Sequence, residues 1–360
     1  MKPIWMIPCI IVAVIVGFYT SSQKVDAPKN DFSTLFEGTS KLAYDRSLPV
    51  VEKTAALMGT EIQIIILTGN KDLADKAIDE ALKEMKRIEV LMTDWNEESE
   101  FSSINRLAGI KPAKVNEEII FLVEEAKRIS EITNGKFDIS YASAGKFWDF
   151  KKKPPEIPNP TIIKEAISKI NYRNIVVDRE AGTVFLKNKE TRIGLGGIAK
   201  GYSVDCAIKI IEKKGFKNFA VNAGGDLTVR GKKDGKLWWA SIRDPRNKSK
   251  NIAILPASNV SIVTSGDYER YFEVEGKRYC HIIDPTTGYP VDHCRSVTVM
   301  AKKAYWADAL ATGIFVLGPE KGMALIESLE GVEGMIVDSN SEITISKKLK
   351  EKNSSRPSFK

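Results

Sequence analysis

Gly194–Val229 reads GLGGIAKGYSVDCAIKIIEKKGFKNFAVNAGGDLTV, and its interpretation decides the fold. Gly194, Gly196 and Ala199 match G-x-G-x-x-A, the dinucleotide fingerprint, while the P-loop spacing G-x-x-x-x-G-K-[ST] is absent. Clustered glycines ahead of a helix let backbone N–H groups close on a phosphate, with Lys200 in reach of a phosphate oxygen. The same glycines serve equally for positive φ and close helix–strand packing. The helix they open runs to about Lys214. After it, Phe219–Val221 is a strand that turns through Asn222-Ala223-Gly224-Gly225-Asp226 into a second strand, Leu227–Val229. A Rossmann dehydrogenase needs successive parallel βαβ units. This hairpin-like continuation does not supply them, so the expected class is α+β, with mixed and antiparallel sheets flanked by helices.

The flanking sequence agrees. Toward the N-terminus, Val50–Leu57 and Glu61–Leu67 read as strands, and Met58-Gly59-Thr60 between them suggests a bulge or tight approach. Lys71–Met92 is a helix whose apolar face carries Leu73, Ala77, Ala81, Met85, Ile88 and Met92. Ser99–Leu107 is a shorter helix. Asn116 caps another, Glu117–Thr133, with Ile120, Val123, Ala126 and Ile129 inward. Four prolines make 154–160 irregular. Thr161–Ile170 is helical, and Ile175–Asp178 with Thr183–Leu186 form a hairpin. Toward the C-terminus come strands at Trp238–Ile242, Ile252–Leu255, Val297–Ala301 and Met335–Asp338. Helices are expected over Trp306–Leu317 and Lys321–Leu329.

The chain has 360 residues and a net charge of +7. Much of the basic excess lies in Lys151–Lys153 and in the tail, where charge runs solvate a surface. With no nucleic-acid-binding motif beside them, no nucleic-acid partner is expected. Lys2 precedes an apolar run, Ile4–Tyr19, too short for a comfortable span and read as a signal h-region or short anchor. Residues 1–22 are therefore a signal peptide or membrane anchor, 23–49 a linker, 50–346 the folded domain, and 347–360 a basic disordered tail. The folded part is expected outside the cytoplasmic membrane, on its periplasmic face. Cys206, Cys280 and Cys294 have no metal-ligand spacing. Whether Cys280 and Cys294 pair is open.

Chemistry concentrates in Thr264–Pro290, TSGDYERYFEVEGKRYCHIIDPTTGYP. It carries His281, one of only two histidines, in a strand-like setting ahead of a turn. An imidazole there is either structural or a base for an attacking hydroxyl. Asp308 and Thr312 stand four apart on one helix face. Their hard oxygens suit Mg²⁺, though such a pair also serves as a helix cap.

Read together and in order, these strings resemble one family. They are Met58-Gly59-Thr60, Trp95 before Ser99-Glu100, Gly135-Lys136-Phe137-Asp138, Leu195–Gly201, Ala223-Gly224-Gly225-Asp226, Thr264-Ser265-Gly266-Asp267-Tyr268, His281-Ile282-Ile283-Asp284-Pro285 with Thr287-Gly288, and Asp308-Ala309-Leu310-Ala311-Thr312. The chain is similar to the ApbE family, the FAD:protein FMN transferases, from about Thr54 to Asp338. The resemblance implies a two-lobed architecture and Mg²⁺-dependent transfer of FMN from FAD to a Thr or Ser of a partner flavoprotein, with AMP released. It implies metal oxygens from Asp308, Thr312 and the Gly197 carbonyl. Met58, Trp95, Lys136, Phe137, Asp138, Gly194, Lys200 and Val297 would line FAD, and His281 would be the base. Two positions depart from the pattern. Gly194 stands where Asp usually begins the glycine string, so a carboxylate contact is expected to be missing. Trp95 stands where Tyr is common. A pyrophosphatase acting on FAD and a non-catalytic flavin carrier of the envelope are the competing readings.

Overall fold

A computed structural model describes residues 48–354 of the chain. Its strands are β1 (Val50–Leu57), β2 (Thr60–Leu67), β3 (Ala113–Lys114), β4 (Ile175–Asp178), β5 (Thr183–Leu186), β6 (Phe219–Ala223), β7 (Asp226–Arg230), β8 (Trp238–Arg243), β9 (Asn251–Ala257), β10 (Val260–Gly266), β11 (Tyr271–Val274), β12 (Lys277–Cys280), β13 (Cys294–Ala301), β14 (Glu333–Asp338) and β15 (Ile343–Ile345). Its helices are α1 (Lys71–Met92), α2 (Glu100–Arg106), α3 (Glu117–Ile132), α4 (Ala142–Gly145), α5 (Pro160–Ile167), α6 (Ala199–Lys213), α7 (Ala304–Leu317), α8 (Pro319–Ser328) and α9 (Lys347–Ser354).

Eight strands form one sheet in the order β1-β2-β6-β7-β10-β13-β14-β15. Every strand pairing among the described residues is antiparallel. The helix behind Gly194–Gly197 therefore leads into a meander, and the dehydrogenase reading falls.

Strand β2 explains the layering. Its sequence, TEIQIIIL, is nearly all apolar after Gln63 because both faces are covered. Alternate side chains point to opposite faces. Ile62, Ile64 and Ile66 pack with α1 and α6, while Ile65 and Leu67 pack on the other side beneath Trp238 of β8. Helices α1, α6, α7 and α8 thus cover one face, and the β8–β9 hairpin with α9 covers the other. Helix α6 is buried along most of its length. It can lie so close to α7 because residue 201 is glycine: a Cβ there would stand 2.4 Å from the Ala304 carbonyl oxygen.

Four expectations change. Met58-Gly59 is not a bulge but a two-residue hairpin turn between β1 and β2, with φ of 52° and 71°. Positive φ at both central residues is the turn whose twist matches the strands. Leu73 is 37% exposed, and Ala74 and Ile78 take its inward place. The stretch after Ser346 is not a disordered tail throughout: Lys347–Ser354 is helical, and Leu349 is buried against the sheet. Thr264–Pro290, unassigned from sequence, holds the end of β10 and the β11–β12 hairpin. Cys206, Cys280 and Cys294 are free, buried thiols. No helix among the described residues is long and apolar enough to cross a membrane. The expected signal or anchor and nearly all of the linker lie outside the described residues.

Candidate active site

The site begins where the start of α6 meets α7. Asp308 is buried and accepts a hydrogen bond from the Gly201 backbone N–H at 3.0 Å. One turn on, Thr312 Oγ1 lies 3.4 Å from Ser265 Oγ. It also stands 3.3 Å from where a Cβ on Gly197 would be. The structure thus gathers Gly197, Asp308 and Thr312, as the sequence suggested. It adds Asp226, the first residue of β7, fully buried and ion-paired with Lys200. Asp226 Oδ2 is buried with no hydrogen-bond partner. Burial, and then the charge of Asp308, pushes the Asp226 carboxyl well above the usual range. Asp308 is likewise raised, chiefly by burial. Burial alone would lower Lys200, but Asp226 and Asp308 outweigh it and the ammonium is held more firmly protonated.

His281 sits one residue past β12, partly buried. Its backbone N–H donates to the Arg270 carbonyl at 2.9 Å, and Nδ1 lies 3.3 Å from the same oxygen. A carbonyl only accepts, so this contact places the proton on Nδ1 and leaves the Nε2 lone pair available. Burial, then the nearby Arg270 and Lys200 cations, pushes the imidazole down to about 4. It is neutral at physiological pH. The Arg270 guanidinium makes no ion pair or hydrogen bond within the described residues, and one nitrogen lies 3.2 Å from the Cβ position of Gly59. Lys136 turns out to be occupied: its ammonium bonds both Asp284 oxygens, at 3.0 and 2.9 Å, and Thr286 Oγ1 at 2.9 Å. It pins the turn that follows His281.

The remaining residues named from sequence surround these groups in different ways. Phe137 is buried, with Cε2 3.2 Å from the Cβ position of Gly197. Asp138 spends its carboxylate locally, accepting from the Ser140 N–H and hydroxyl and from the Tyr172 N–H. It shapes the loop rather than offering a free carboxylate. Val297 is fully buried in β13, paired with Ser265 on β10. Only its backbone is open to a site role. The Met58 N–H donates to Glu89 at 2.7 Å, which holds the β1–β2 turn over α1. Trp95 is 84% exposed, with the Lys151 ammonium 5.8 Å from its ring centroid. Gly194 is buried and closely packed: a Cβ there would stand 3.3 Å from Asp94 Oδ2, 3.4 Å from Ala142 Cβ and 3.7 Å from the Tyr141 hydroxyl.

Sequence reasoning missed Asp226 as an acidic partner, and missed Arg270 and Tyr141 altogether. In the sequence, Ala223-Gly224-Gly225-Asp226 reads as a glycine turn and gives no sign that its carboxylate faces Asp308. The signal for Arg270 was available, since it lies eleven residues before His281 across a hairpin. A separate cavity of about 190 Å³ is lined by Asp267, Cys280 and four basic residues; Arg246 pairs with Asp267 at 2.7 and 2.5 Å, whereas Arg295 has no acidic partner among the described residues and its Nε is buried without a hydrogen bond.

Cations, a buried acidic pair and a neutral histidine around a glycine-lined cradle suit an enzyme acting on a phosphate-bearing ligand, and that is the class this site defines. The chain belongs to the ApbE family, whose sequence profile matches residues 58–336. A Haemophilus influenzae FAD:protein FMN transferase is 30% identical over 299 residues, 80% of this chain and 86% of that protein. One from Vibrio cholerae is 34% identical over 244 residues, 66% of this chain and 72% of its own length. Among solved structures, the ApbE protein of Thermotoga maritima matches with a TM-score of 0.78 and 32% identity, over 84% of this chain and 99% of that one. The fold class expected from sequence is thereby borne out.

Proposed function

We propose that this chain transfers FMN from FAD to a Thr or Ser hydroxyl of a partner flavoprotein. The hydroxyl oxygen attacks the FMN-side phosphorus, its bond to the AMP oxygen breaks, AMP leaves, and the hydroxyl proton passes to His281 Nε2. The observation that carries this reading is a neutral imidazole whose Nε2 lone pair is free, with the Lys200 and Arg270 cations nearby. Positive charge stabilises the dianionic pyrophosphate and the charge developing on the leaving group, while the imidazole takes the proton. Bound phosphate offsets the cations that depress His281, so its basicity rises when substrate is present.

The residues fit a divalent cation. Two buried carboxyls, one with an orphaned oxygen, beside a threonine hydroxyl form a hard oxygen donor set that a divalent cation would hold ionised. Asp308, Thr312 and the Gly197 carbonyl would hold Mg²⁺, with Asp226 available from the facing side. When bound, the ion neutralises charge on the pyrophosphate oxygens. The apolar run Ile4–Tyr19 supports action outside the cytoplasmic membrane, with the N-terminal segment as signal or anchor.

The test incubates the chain from about residue 30 with FAD, Mg²⁺ and candidate acceptor domains. Flavin fluorescence on denatured acceptor together with AMP is the expected result. AMP with free FMN and dark acceptors would replace the transferase with a pyrophosphatase. Bound FAD without AMP would leave a flavin carrier.

A further inference from the structure

We infer that the cavity beside β12 is a binding site for a small tetrahedral oxyanion such as inorganic phosphate, separate from the cradle and independent of what the cradle binds. Four cationic side chains line it: Arg246 from the loop after β8, Lys277 and Arg278 from β12, and Arg295 from β13. Only two carboxylates, Asp267 and Asp292, line it with them, so its walls carry an excess of two positive charges.

The pairing inside the cavity leaves one cation over. Asp267 is buried and taken by Arg246 at 2.7 and 2.5 Å, with an Arg278 nitrogen 3.6 Å away. Arg278 meets its other carboxylate, at 2.9 Å, on Glu273, which does not line the cavity. Lys277 and Asp292 form an exposed pair at 3.2 Å. Arg295 makes no ion pair among the described residues. Its Nη1 donates to Ser341 Oγ, and its Nε is buried with no hydrogen-bond partner. A buried donor left unpaired is rare in a folded protein. A guanidinium also presents its donors in the fork that suits phosphate oxygens. The Ser339 hydroxyl adds a neutral donor to the lining.

Size narrows the ligand. A cavity of about 190 Å³ has room for about six waters at ~30 Å³ each. That is below the ~300 Å³ at which sites for cofactor-sized ligands begin. An oxyanion of phosphate size fits, and its charge matches the excess. The cavity and the cradle also have different neighbours. Asp267 and Asp292 lie near the Cys280 thiol, whereas Arg270 and Lys200 lie near the His281 ring. An oxyanion held by Arg278 and Arg295 bridges β12 to β13 at the strand end from which His281 continues.

The test titrates inorganic phosphate into the intact chain by isothermal calorimetry at fixed ionic strength, with melting temperature followed in parallel. Phosphate should bind saturably, with an affinity that depends on Arg295. Losing a hydrogen bond to a charged group lowers affinity about tenfold or more. Arg295→Met, which keeps an apolar stem, should weaken phosphate by that order. Asp292→Asn alters an exposed side chain and removes a competing charge, so it should tighten phosphate about two- to fivefold. A merely structural cluster would not gain affinity on losing a carboxylate. Arg270→Ala, in the cradle, should stay within about twofold of wild type. No saturable binding, or binding lost in Arg270→Ala and kept in Arg295→Met, would overturn the inference. If Arg295→Met does not fold, Asp292→Asn decides alone, and unchanged or weaker binding there overturns it. None of these outcomes bears on flavin transfer.

Discussion

Gly201→Ala tests the junction on which the site depends. The added methyl carbon would lie 2.4 Å from the Ala304 oxygen, 2.6 Å from its carbonyl carbon and 2.7 Å from Tyr305 Cα. These are about 1 Å short of a comfortable ~3.5 Å contact. All three neighbours are main chain, so no rotamer change relieves them. The start of α7 is also anchored, since the Tyr305 N–H donates to Asp205. The two helices must part, which costs about 3 kcal/mol on the scale of overpacked cores. For a domain of this size that is a fall of roughly 6–10 °C in melting temperature. The same shift stretches the Gly201–Asp308 hydrogen bond and separates Gly197 from Thr312, so the proposed transfer activity should fall further than stability. Gly69→Ala is the control, because nothing lies within 4 Å of its Cβ position; it should melt within about 2 °C of wild type. Calorimetry with transfer assays reads both. If Gly201→Ala melts like the control, the α6–α7 approach is not as described.

Other predictions follow from the same contacts. Saturating Mg²⁺, at about 100 times its Kd, should stabilise the wild type by about 2.7 kcal/mol; Asp308→Ala should abolish that rise in melting temperature and Asp226→Asn should at least halve it. His281 has a folded pKa of about 4 against an ordinary 6.5. Between these values the unfolded chain binds more protons, so stability contributed by this group is lost as pH falls from 6.5 toward 4. His281→Gln should flatten the stability profile in that window and lower kcat more than FAD affinity, as chemical denaturation and kinetics would reveal. Leu349→Ala should cost about 2 kcal/mol in denaturant unfolding; no loss would mean α9 does not pack on the sheet.

Much of the fold was legible where periodicity and capping agree. Helix α1, Asn116 before α3 and the β4–β5 hairpin fell where apolar spacing and turn residues put them. The failures have physical causes. Met58 in a left-handed turn breaks the usual Asn-Gly or Asp-Gly signature, so a hairpin read as a bulge. Lysine-rich composition hid α9, because one buried leucine is too weak a periodic signal against that charge. In the site, Asp308 and Thr312 share a helix face and could be paired from spacing. Asp226 could not, because it reaches the site across a sheet contact that linear spacing does not encode. Lys136 shows the converse: its place was recognised, but its ammonium is committed to Asp284.

The hydrogen bond from Gly201 to Asp308 joins residues 107 positions apart, and this sets a timetable for assembly. Contacts of such separation close late, after the entropy of a long loop has been overcome. At a synthesis rate of 5–20 residues per second, Asp308 follows Gly201 by about 5–20 s. During that interval the Lys200–Asp226 pair can form while the second carboxylate does not yet exist. Activity in nascent or progressively lengthened chains should therefore switch on abruptly once α7 docks, with no partly competent fragment before it.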